Sequence, residues 1–509
     1  MKNLIFFSFV TLIAISFIRN AEAAPIEAAS LDRLAREIGM HAIAGRAISP
    51  VKIAILDNGF KGVTANLGTL HTGPVAVDPN LEEEHGTKMA EIVQGLLKRA
   101  GVTAEVHLYS AFGYSNFEAA VNAVAQEKFD VVLYSQVWEY GGNGDGRGFI
   151  NAVVNRALDQ GVLWINAAGN FGAGTLRTAV SKGTDDWAKL PGVNDSAVIR
   201  CQPQTGSSCR ARLVLSWNSF SDDVKAGTDK DLDLVLTDDT LRIVQTAGLQ
   251  QKVAIAPTDS GASLYPREII EAELKPGTYF ARVKIRSNNF SAGRDELRLT
   301  VSGDFVTLET KTSGETLLAP ADNSRVITVG ASDSELSSSS RLLKKPDILA
   351  PSLIKTNDGL QYKGSSNAAA AVAARATLER ALDKNLTREQ LVRKLKTISS
   401  STTQTRFGPT GPGCYQLDVL RSAASHLRQM ALEGGVIVQT TDGQKMFMDE
   451  DPFARAARLG LAVAPWRGRG EGGRLMGDVS GLFEYGNSAS PRDAIEFVLT
   501  PINAVICPL

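Results

Sequence analysis

Buried strands and amphipathic helices alternate along the first third of the chain. Four short runs rich in β-branched and apolar residues are separated by segments in which apolar residues recur at helical spacing. Strands that alternate with helices of about a dozen residues predict a parallel sheet with helices on both faces. The strands are predicted at 51–57, 105–112, 130–138 and 162–170, and the helices at 116–127 and 149–160.

A different pattern occupies residues 196–312. Helical spacing is scarce there, and apolar and polar residues alternate between clusters of Gly, Asp, Asn and Ser. Such alternation is typical of antiparallel strands with one buried face, so the segment is predicted to form a small β-sandwich or jelly roll. Its strands are predicted at 211–217, 231–237, 267–274, 277–286 and 295–303.

The α/β pattern returns after this segment, in a strand at 325–331 and a helix at 367–382. The predicted fold class is therefore α/β, a doubly wound parallel sheet into which an antiparallel β-sandwich is inserted. The α/β domain is predicted to be discontinuous, comprising residues 24–195 and 313–430. Residues 431–509 form a C-terminal region of unassigned role.

Residues 1–23 have the features of a secretory signal peptide. Lys2 precedes an apolar stretch over 4–18, and the Ala-Glu-Ala at 21–23 has small residues at the two positions that a signal peptidase requires. A membrane span needs roughly 20 apolar residues, more than this stretch offers. We therefore expect cleavage after Ala23, no stable membrane span afterwards, and secretion to an extracellular or periplasmic location.

Composition narrows the class of protein further. The 509 residues are 43% hydrophobic and 21% charged, which is ordinary for a folded globular protein. The net charge is −1, so there is no basic excess of the kind that nucleic-acid-binding proteins carry. Four cysteines in an exported chain favour disulfides, and of the three possible pairings we favour Cys201–Cys209 with Cys414–Cys507.

Three short segments carry the residue types of a nucleophilic triad. "AILDNGF" has Asp57 at the carboxyl end of a buried strand, "HGTKMAEIV" has His85 at a helix start, and "GSSNAAAAVAA" has Ser366 before a helix of small residues. A serine hydroxyl is a weak nucleophile until a histidine accepts its proton, and a buried carboxylate must hold the histidine's tautomer. Each residue alone also has a structural interpretation, such as a helix N-cap for Ser366.

A fourth segment, "NAAGNFG", has Asn170 at the end of a predicted strand. Its amide could donate to the oxygen that becomes negative during acyl transfer, together with a backbone N–H near Ser366. The alternative is an asparagine that only shapes a turn, for which Asn-x-Gly is well suited.

The four segments resemble those of the subtilisin-like serine peptidases, the subtilases. The family's Asp-Thr/Ser-Gly, His-Gly-Thr-His, Ala-Ala-Gly-Asn and Gly-Thr-Ser-Met-Ala-Ala-Pro stretches are similar to "DNG", "HGTK", "AAGN" and "GSSNAAA" here. "RVITVGASDS" and "KPDILAPS" also resemble stretches that precede the family's nucleophile. The resemblance covers residues 50–195 and 314–425.

The resemblance implies a serine-type endopeptidase that hydrolyses protein or peptide substrates through an acyl-enzyme. Asp57, His85 and Ser366 would form the catalytic triad, and Asn170 would donate to the oxyanion. The chemistry would require no cofactor.

The resemblance also locates a substrate pocket, along the strand end at 134–142 and a neighbouring loop. Ser135, Trp138 and Gly169 are the residues expected there, and Trp138 has packing in the core as its alternative. Glu139 would favour a basic residue at the cleavage site, unless it is a solvated loop acid.

The inserted segment resembles the β-sandwich of pre-peptidase C-terminal domains in its "LVLSWN" and "DLDLVLTDDTLRIV" stretches. Calcium is common in the family as a structural ion and prefers oxygen ligands, so aspartates in this segment are candidate ligands. The alternative is a solvated strand face, and no metal site is assigned. The candidates are Asp222, Asp223, Asp229, Asp231 and Asp233.

Five positions depart from the family's segments without removing a proton-transfer or oxyanion group. They favour, as an alternative function, a catalytically inactive subtilase-like surface protein that binds protein or glycan through its β domain. The departures are Asn58, Lys88, Ser365, Asn367 and Ala370, which stand where the family has Thr or Ser, His, Thr, Met and Pro.

Overall fold

The computed structural model describes most of the chain between residues 24 and 396. The described residues are 24–40, 48–76, 84–203, 208–256, 259 and 261–396, together with the backbone of one helix end and of ten strands between 397 and 508. The signal segment at 1–23 lies outside the described residues.

A parallel sheet of seven strands forms the centre of the α/β domain. In chain order its strands are β1 (Lys52–Asp57), β2 (Thr69–His71), β3 (Glu105–Ser110), β4 (Val131–Tyr134), β5 (Leu163–Ala167), β17 (Ile327–Ala331) and β18 (Ile348–Ala350). They pair in the order β18-β17-β5-β4-β1-β3-β2, and every pairing is parallel. The predicted doubly wound parallel sheet is thereby confirmed.

Helices cover both faces of this sheet. They are α1 (Ala28–Glu37), α2 (His85–Ala100), α3 (Tyr114–Gln126), α4 (Phe149–Leu158), α5 (Ser365–Leu382) and α6 (Arg388–Ser401). Successive side chains of a strand point to opposite faces. Ile53 and Ile55 of β1 accordingly pack in the core with α2 and α5, whereas Ala54 and Leu56 pack in the core with α3 and α4. Burial on both faces explains why these strands are continuous apolar runs.

Helix α5 passes through the interior. Every residue from Ala368 to Ala374 is buried, and the helix contacts α2, β4, β5 and β17. Small side chains let it approach the sheet closely. Ala370, where the family has proline, is part of this buried run.

The strand order reverses at β1, which lies between β3 and β4. At such a point the chain leaves neighbouring strands in opposite directions, and a crevice opens beyond their carboxyl ends. Asp57 ends β1 and Ser135 follows β4, so both lie at the mouth of this crevice.

The inserted segment forms two antiparallel sheets that pack around a core of their own. The strands are β6 (Thr175–Ala179), β7 (Ala197–Cys201), β8 (Cys209–Trp217), β9 (Leu232–Asp238), β10 (Ile243–Ala247), β11 (Gln250–Gln251), β12 (Ala262–Ser263), β13 (Arg267–Leu274), β14 (Gly277–Ile285), β15 (Glu296–Gly303) and β16 (Val306–Leu308). One sheet has the order β10-β9-β14-β7-β16 and the other β13-β8-β15-β6, while β11 and β12 pair separately. The predicted antiparallel sandwich is confirmed.

The sandwich begins earlier than the predicted boundary at residue 196. β6 pairs antiparallel with β15, with Leu176 opposite Leu299, and so belongs to the inserted sheets. The sequence of β6, "TLRTA", has little periodicity of its own. Its strand is specified by pairing with residues more than a hundred positions away, which local patterns do not show.

A disulfide joins Cys201 at the end of β7 to Cys209 at the start of β8, with the two Cα atoms 5.7 Å apart. This confirms the first predicted pairing. Cys414 and Cys507 fall in strands whose side chains lie outside the described residues, so their pairing stays a prediction.

The remaining strands lie on either side of α5 and α6 along the chain. A short hairpin of β19 (Ile354–Lys355) and β20 (Gln361–Tyr362) precedes α5. The C-terminal strands are β21 (Gly408–Gly411), β22 (Cys414–Leu417), β23 (Val436–Thr440), β24 (Lys445–Met448), β25 (Leu461–Val463), β26 (Trp466–Arg469), β27 (Arg474–Gly477), β28 (Phe483–Asn487), β29 (Ile495–Leu499) and β30 (Ala504–Pro508). Within the described ranges, no helix combines the length and apolar character that crossing a bilayer requires.

Candidate active site

Asp57 ends β1 with its carboxylate fully buried. The backbone N–H of Asn58 and the side-chain amide of Gln136 donate to Oδ1 over 2.8 and 3.1 Å. The Ser135 hydroxyl donates to Oδ2 over 2.6 Å. Burial by itself would raise the pKa of Asp57, but the neighbouring His85 and the side-chain donors outweigh burial and lower the pKa below its ordinary value. The carboxylate therefore stays ionised in the interior.

His85 is the first residue of α2, and its ring is paired with the Asp57 carboxylate. Nδ1 lies 2.9 Å from both Oδ1 and Oδ2. Gly86 permits this approach, because a Cβ there would lie 2.6 Å from the carbonyl oxygen of Gly59 and 2.8 Å from Asp57 Cβ. The carboxylate favours the tautomer with the proton on Nδ1, which leaves the Nε2 lone pair as the proton acceptor.

Ser366 is the second residue of α5 and is half-buried. Its hydroxyl donates to the backbone carbonyl of Ser135 over 3.1 Å. The side chain of the same Ser135 donates to Asp57. Ser135 therefore contacts both ends of the predicted triad, and the fold brings Asp57, His85 and Ser366 to one crevice.

Asn170 lies in the loop after β5 and is exposed. Its Oδ1 accepts from the backbone N–H and the hydroxyl of Ser365, over 3.1 and 3.2 Å, and that hydroxyl accepts from the N–H of Gly169 over 3.0 Å. A Cβ at Gly364 would lie 3.1 Å from the Asn170 Nδ2. The amide nitrogen thus lies beside Gly364, directly before the N-terminus of α5.

The residues predicted to bind substrate have other contacts as well. Ser135 and Gly169 are buried, and both use polar groups to organise the crevice. The Trp138 indole donates to the Tyr134 hydroxyl over 2.7 Å and packs against Phe117 at a ring distance of 5.6 Å. For Trp138 this is the core packing that was its alternative interpretation. The substrate-binding roles of Ser135, Trp138 and Gly169 stay predictions.

Glu139 connects the α/β domain to the insertion. Its Oε2 pairs with Arg212 of β8 at 2.9 Å, and its Oε1 accepts from the Thr300 hydroxyl of β15 over 3.0 Å. Only 13% of the Glu139 side chain is exposed. This arrangement fits neither a solvated loop acid nor a carboxylate available to a basic substrate residue.

Two further departures from the family's segments, besides Ser365, have defined side-chain contacts. Asn367 is buried, and its amide donates to the carbonyl oxygens of Ser352 and Tyr362 over 2.9 and 3.4 Å. Lys88 donates to the carbonyl of Ala24 and pairs with Glu91 at 3.2 Å. Asn367 and Lys88 therefore connect neighbouring segments of the chain, so each replacement has contacts of its own.

Sequence reasoning missed two residues of the site. Gln136 contacts both members of the Asp57–His85 pair, yet the only signal in the sequence was its place after a buried strand. The Ser352 hydroxyl accepts from the N–H of Gly364 over 3.0 Å and donates to Asp333. Ser352 is the last residue of the stretch "KPDILAPS", but nothing in that stretch assigns its hydroxyl a contact.

Three of the five candidate calcium ligands contact other groups of the protein. Asp222 accepts from the N–H of Gly148 over 2.7 Å, Asp223 accepts from the N–H of Lys225, and Asp233 pairs with Arg286. Among the described residues, no three His, Cys, Asp or Glu side chains are arranged to hold a metal ion. A calcium site among the five aspartates stays a prediction.

Part of the chain is similar to a known family. The model of the Subtilase family (peptidase S8) matches residues 287–413, a range that includes Ser366. A search of curated proteins found no match.

Solved structures similar to the chain include two subtilisin-like proteases. The Clostridium perfringens CspB protease is 16% identical, with 76% of this chain and 96% of that chain covered and a TM-score of 0.46. A cold-adapted subtilisin-like serine proteinase is also 16% identical, with coverages of 71% and 89% and a TM-score of 0.30. The pre-peptidase C-terminal domain of a Bacillus anthracis collagenase is 13% identical, with coverages of 26% and 89% and a TM-score of 0.14.

The matched range carries "KPDILAPS" and "GSSNAAA", which are the stretches leading into and including the candidate nucleophile. This match shows that the segment around Ser366 is similar to the Subtilase family.

Proposed function

We propose that the protein is an exported serine endopeptidase whose triad is Asp57, His85 and Ser366. The observation that carries the proposal is the contact of both Asp57 oxygens with His85 Nδ1, beside a serine at the N-terminus of a buried helix. Asn170 is proposed as the oxyanion donor.

In this mechanism the Ser366 hydroxyl attacks the scissile carbonyl while His85 Nε2 accepts its proton. Asp57 holds the imidazole in the required tautomer and stabilises the imidazolium that forms. The Asn170 amide and backbone N–H groups at the start of α5 stabilise the negative oxygen. The protonated His85 then donates to the leaving amine, and water releases the acyl group by the reverse sequence.

Export is proposed from the signal segment at 1–23, which directs the protein to the periplasm or the extracellular space. The disulfide between Cys201 and Cys209 supports an oxidising compartment. N-terminal sequencing of protein recovered outside the cytoplasm would test it, with Ala24 as the expected first residue. An uncleaved N-terminus on that protein would contradict the proposal.

The mechanism is tested by labelling with a fluorophosphonate probe. We expect the mature protein to be labelled at Ser366 and to cleave casein, and Ser366→Ala to lose both activities because no nucleophile remains. Ser324→Ala is the matched control, since it removes the hydroxyl of an exposed serine outside the candidate site and leaves Ser366 available for labelling. A folded wild-type protein that is not labelled would contradict the peptidase mechanism.

A further inference from the structure

Gln136 has an unusual position for a residue outside the triad. Its Nε2 donates to Asp57 Oδ1 over 3.1 Å and lies 3.3 Å from His85 Nδ1. It therefore contacts both members of the pair whose geometry sets the basicity of the imidazole.

The backbone of Gln136 is held in place independently of its side chain. Its carbonyl accepts from the side-chain amide of Asn166 over 3.2 Å. Asn166 is fully buried in β5, and its Oδ1 accepts from the Trp164 indole over 3.0 Å. Because the backbone is fixed at the end of β4, the Gln136 amide is presented to the carboxylate by a rigid support.

The Asp57 environment makes such a donor useful. Asn58 contributes its backbone N–H to Oδ1, and Ser135 contributes a hydroxyl to Oδ2. Apart from His85, Gln136 is the second donor to Oδ1, after the N–H of Asn58. A donated hydrogen bond spreads the carboxylate charge over the donors and fixes the plane of the carboxylate.

We propose that Gln136 is a positioning residue of the peptidase reaction, which orients the Asp57 carboxylate toward His85 Nδ1 and moderates its charge. This inference rests on the proposed function. Gln136 does not touch the reacting atoms. It acts through Asp57, and the consequence is an imidazole that remains a base at lower pH than it would beside an unshielded carboxylate.

Two substitutions at Gln136 separate this role from simple packing. Gln136→Met keeps the length and removes the donor, so more of the carboxylate charge acts on the imidazolium. Gln136→Glu replaces the donor by a second negative charge. We expect the acid-limb pKa of kcat/KM to rise by about half a unit in Gln136→Met and by more in Gln136→Glu. We also expect kcat on the plateau to fall about three- to tenfold in Gln136→Met, with KM unchanged.

The pKa of His85 itself gives a readout that does not need turnover. In a Ser366→Ala background, NMR titration should give a His85 pKa that is lowest with Gln136, higher in Gln136→Met and highest in Gln136→Glu. Gln160→Met is the matched control, because Gln160 is exposed beyond α4. The nearby charged groups, Glu84 directly before α2 and Lys88 and Glu91 within it, are the same in every variant.

An unchanged His85 titration in Gln136→Met, with the protein folded, overturns the inference whatever the activity. A titration that shifts in the expected order, together with fluorophosphonate labelling of the wild type, supports it. A wild type that is not labelled overturns the proposed peptidase and with it a catalytic role for Gln136, even where His85 still titrates in the expected order.

Discussion

The Asn170 side chain is oriented by its neighbour. Its carbonyl oxygen accepts two hydrogen bonds from Ser365, so its amide nitrogen is directed to the crevice at the start of α5. The same serine hydroxyl also receives the N–H of Gly169, which anchors the loop after β5 to the helix. Two loops that are far apart in sequence are thereby held in one arrangement around Ser366.

Replacing Asn170 by alanine removes the proposed side-chain donor to the oxyanion. We expect Asn170→Ala to lower kcat about 10²–10³-fold, because such a donor acts mainly on the transition state. Steady-state kinetics on a peptide substrate would measure the loss, and KM should change little. Asn288→Ala, at an exposed position of the sandwich, should have no effect. A loss of less than about threefold in Asn170→Ala would contradict the oxyanion role.

At the scale of elements, the segment at 24–27 connects two parts of the site. The carbonyl of Ala24 accepts from Lys88 of α2, and the N–H of Ile26 donates to Glu91 of the same helix over 3.3 Å. On its other side the segment meets the β19–β20 hairpin, where the N–H of Glu27 donates to the carbonyl of Lys355 over 2.8 Å. One strap therefore contacts both the helix that begins with His85 and the hairpin that precedes Ser366.

The contact of Lys88 with this strap, the segment at 24–27, is open to a direct test. Lys88→Met should reduce the free energy of unfolding by about 1–2 kcal/mol, because a charged donor to a half-buried carbonyl is lost. Hydrogen exchange should quicken at the amides of Ile26 and Glu27. Lys98→Met, at the exposed end of the same helix, serves as the control, with an expected change of a few tenths of a kcal/mol. Unchanged exchange at both amides would show that Lys88 does not hold the strap.

At the scale of the whole molecule, polar contacts join the insertion to the edge of the sheet that carries the site. The Asn143 side chain exchanges two hydrogen bonds of 2.9 Å with the backbone of Phe220. The ion pair of Glu139 with Arg212 adds a second link. These contacts lie in the connection after β4, so the sandwich supports the loop that begins with Ser135.

The sandwich also contains a carboxyl group that should make the molecule sensitive to pH. Glu268 is buried, and it accepts from the N–H of Leu249 and the amide of Gln251 over 2.8 and 2.9 Å. Burial raises the pKa of Glu268 to about 7, despite these hydrogen bonds, and the charges of Asp233 and Asp231 act in the same direction as burial. The ordinary value is 4.5. Between these two values the folded state binds the proton more tightly than the unfolded state, so stability falls as pH rises.

Glu268→Gln keeps an acceptor and removes the titration. We therefore expect its Tm to equal that of the wild type near pH 4.5, where both side chains are neutral in the fold, and to exceed it increasingly towards pH 8. Calorimetry across this pH range would measure the difference. Glu335→Gln, at an exposed position, is the control, and its Tm should differ from that of the wild type by the same amount at every pH. A wild type that is the more stable protein at pH 8 would contradict the assigned cause.

Much of the architecture was predictable because the strands that matter are buried on both faces. The runs at 51–57, 130–138 and 162–170 contain β1, β4 and β5. A continuous run of apolar, β-branched residues is typical of a strand that is buried on both faces. The alternating runs of the insertion were equally clear, since antiparallel strands with one buried face repeat every two residues. β6 was missed because its pairing is non-local.

The sequence by itself determined the fold class, the insertion, the Cys201–Cys209 disulfide and the candidate residues Asp57, His85 and Ser366, because each depends on a local pattern or a short motif. Only the tertiary structure decided which neighbours serve those residues. Gln136, Ser135 and the Ser365–Asn170 contact join segments that are tens to hundreds of residues apart, and hydrogen bonds between such segments depend on how the strands and α5 pack. The same packing directed Glu139 to the inserted domain, a role that no pattern around its own position indicates.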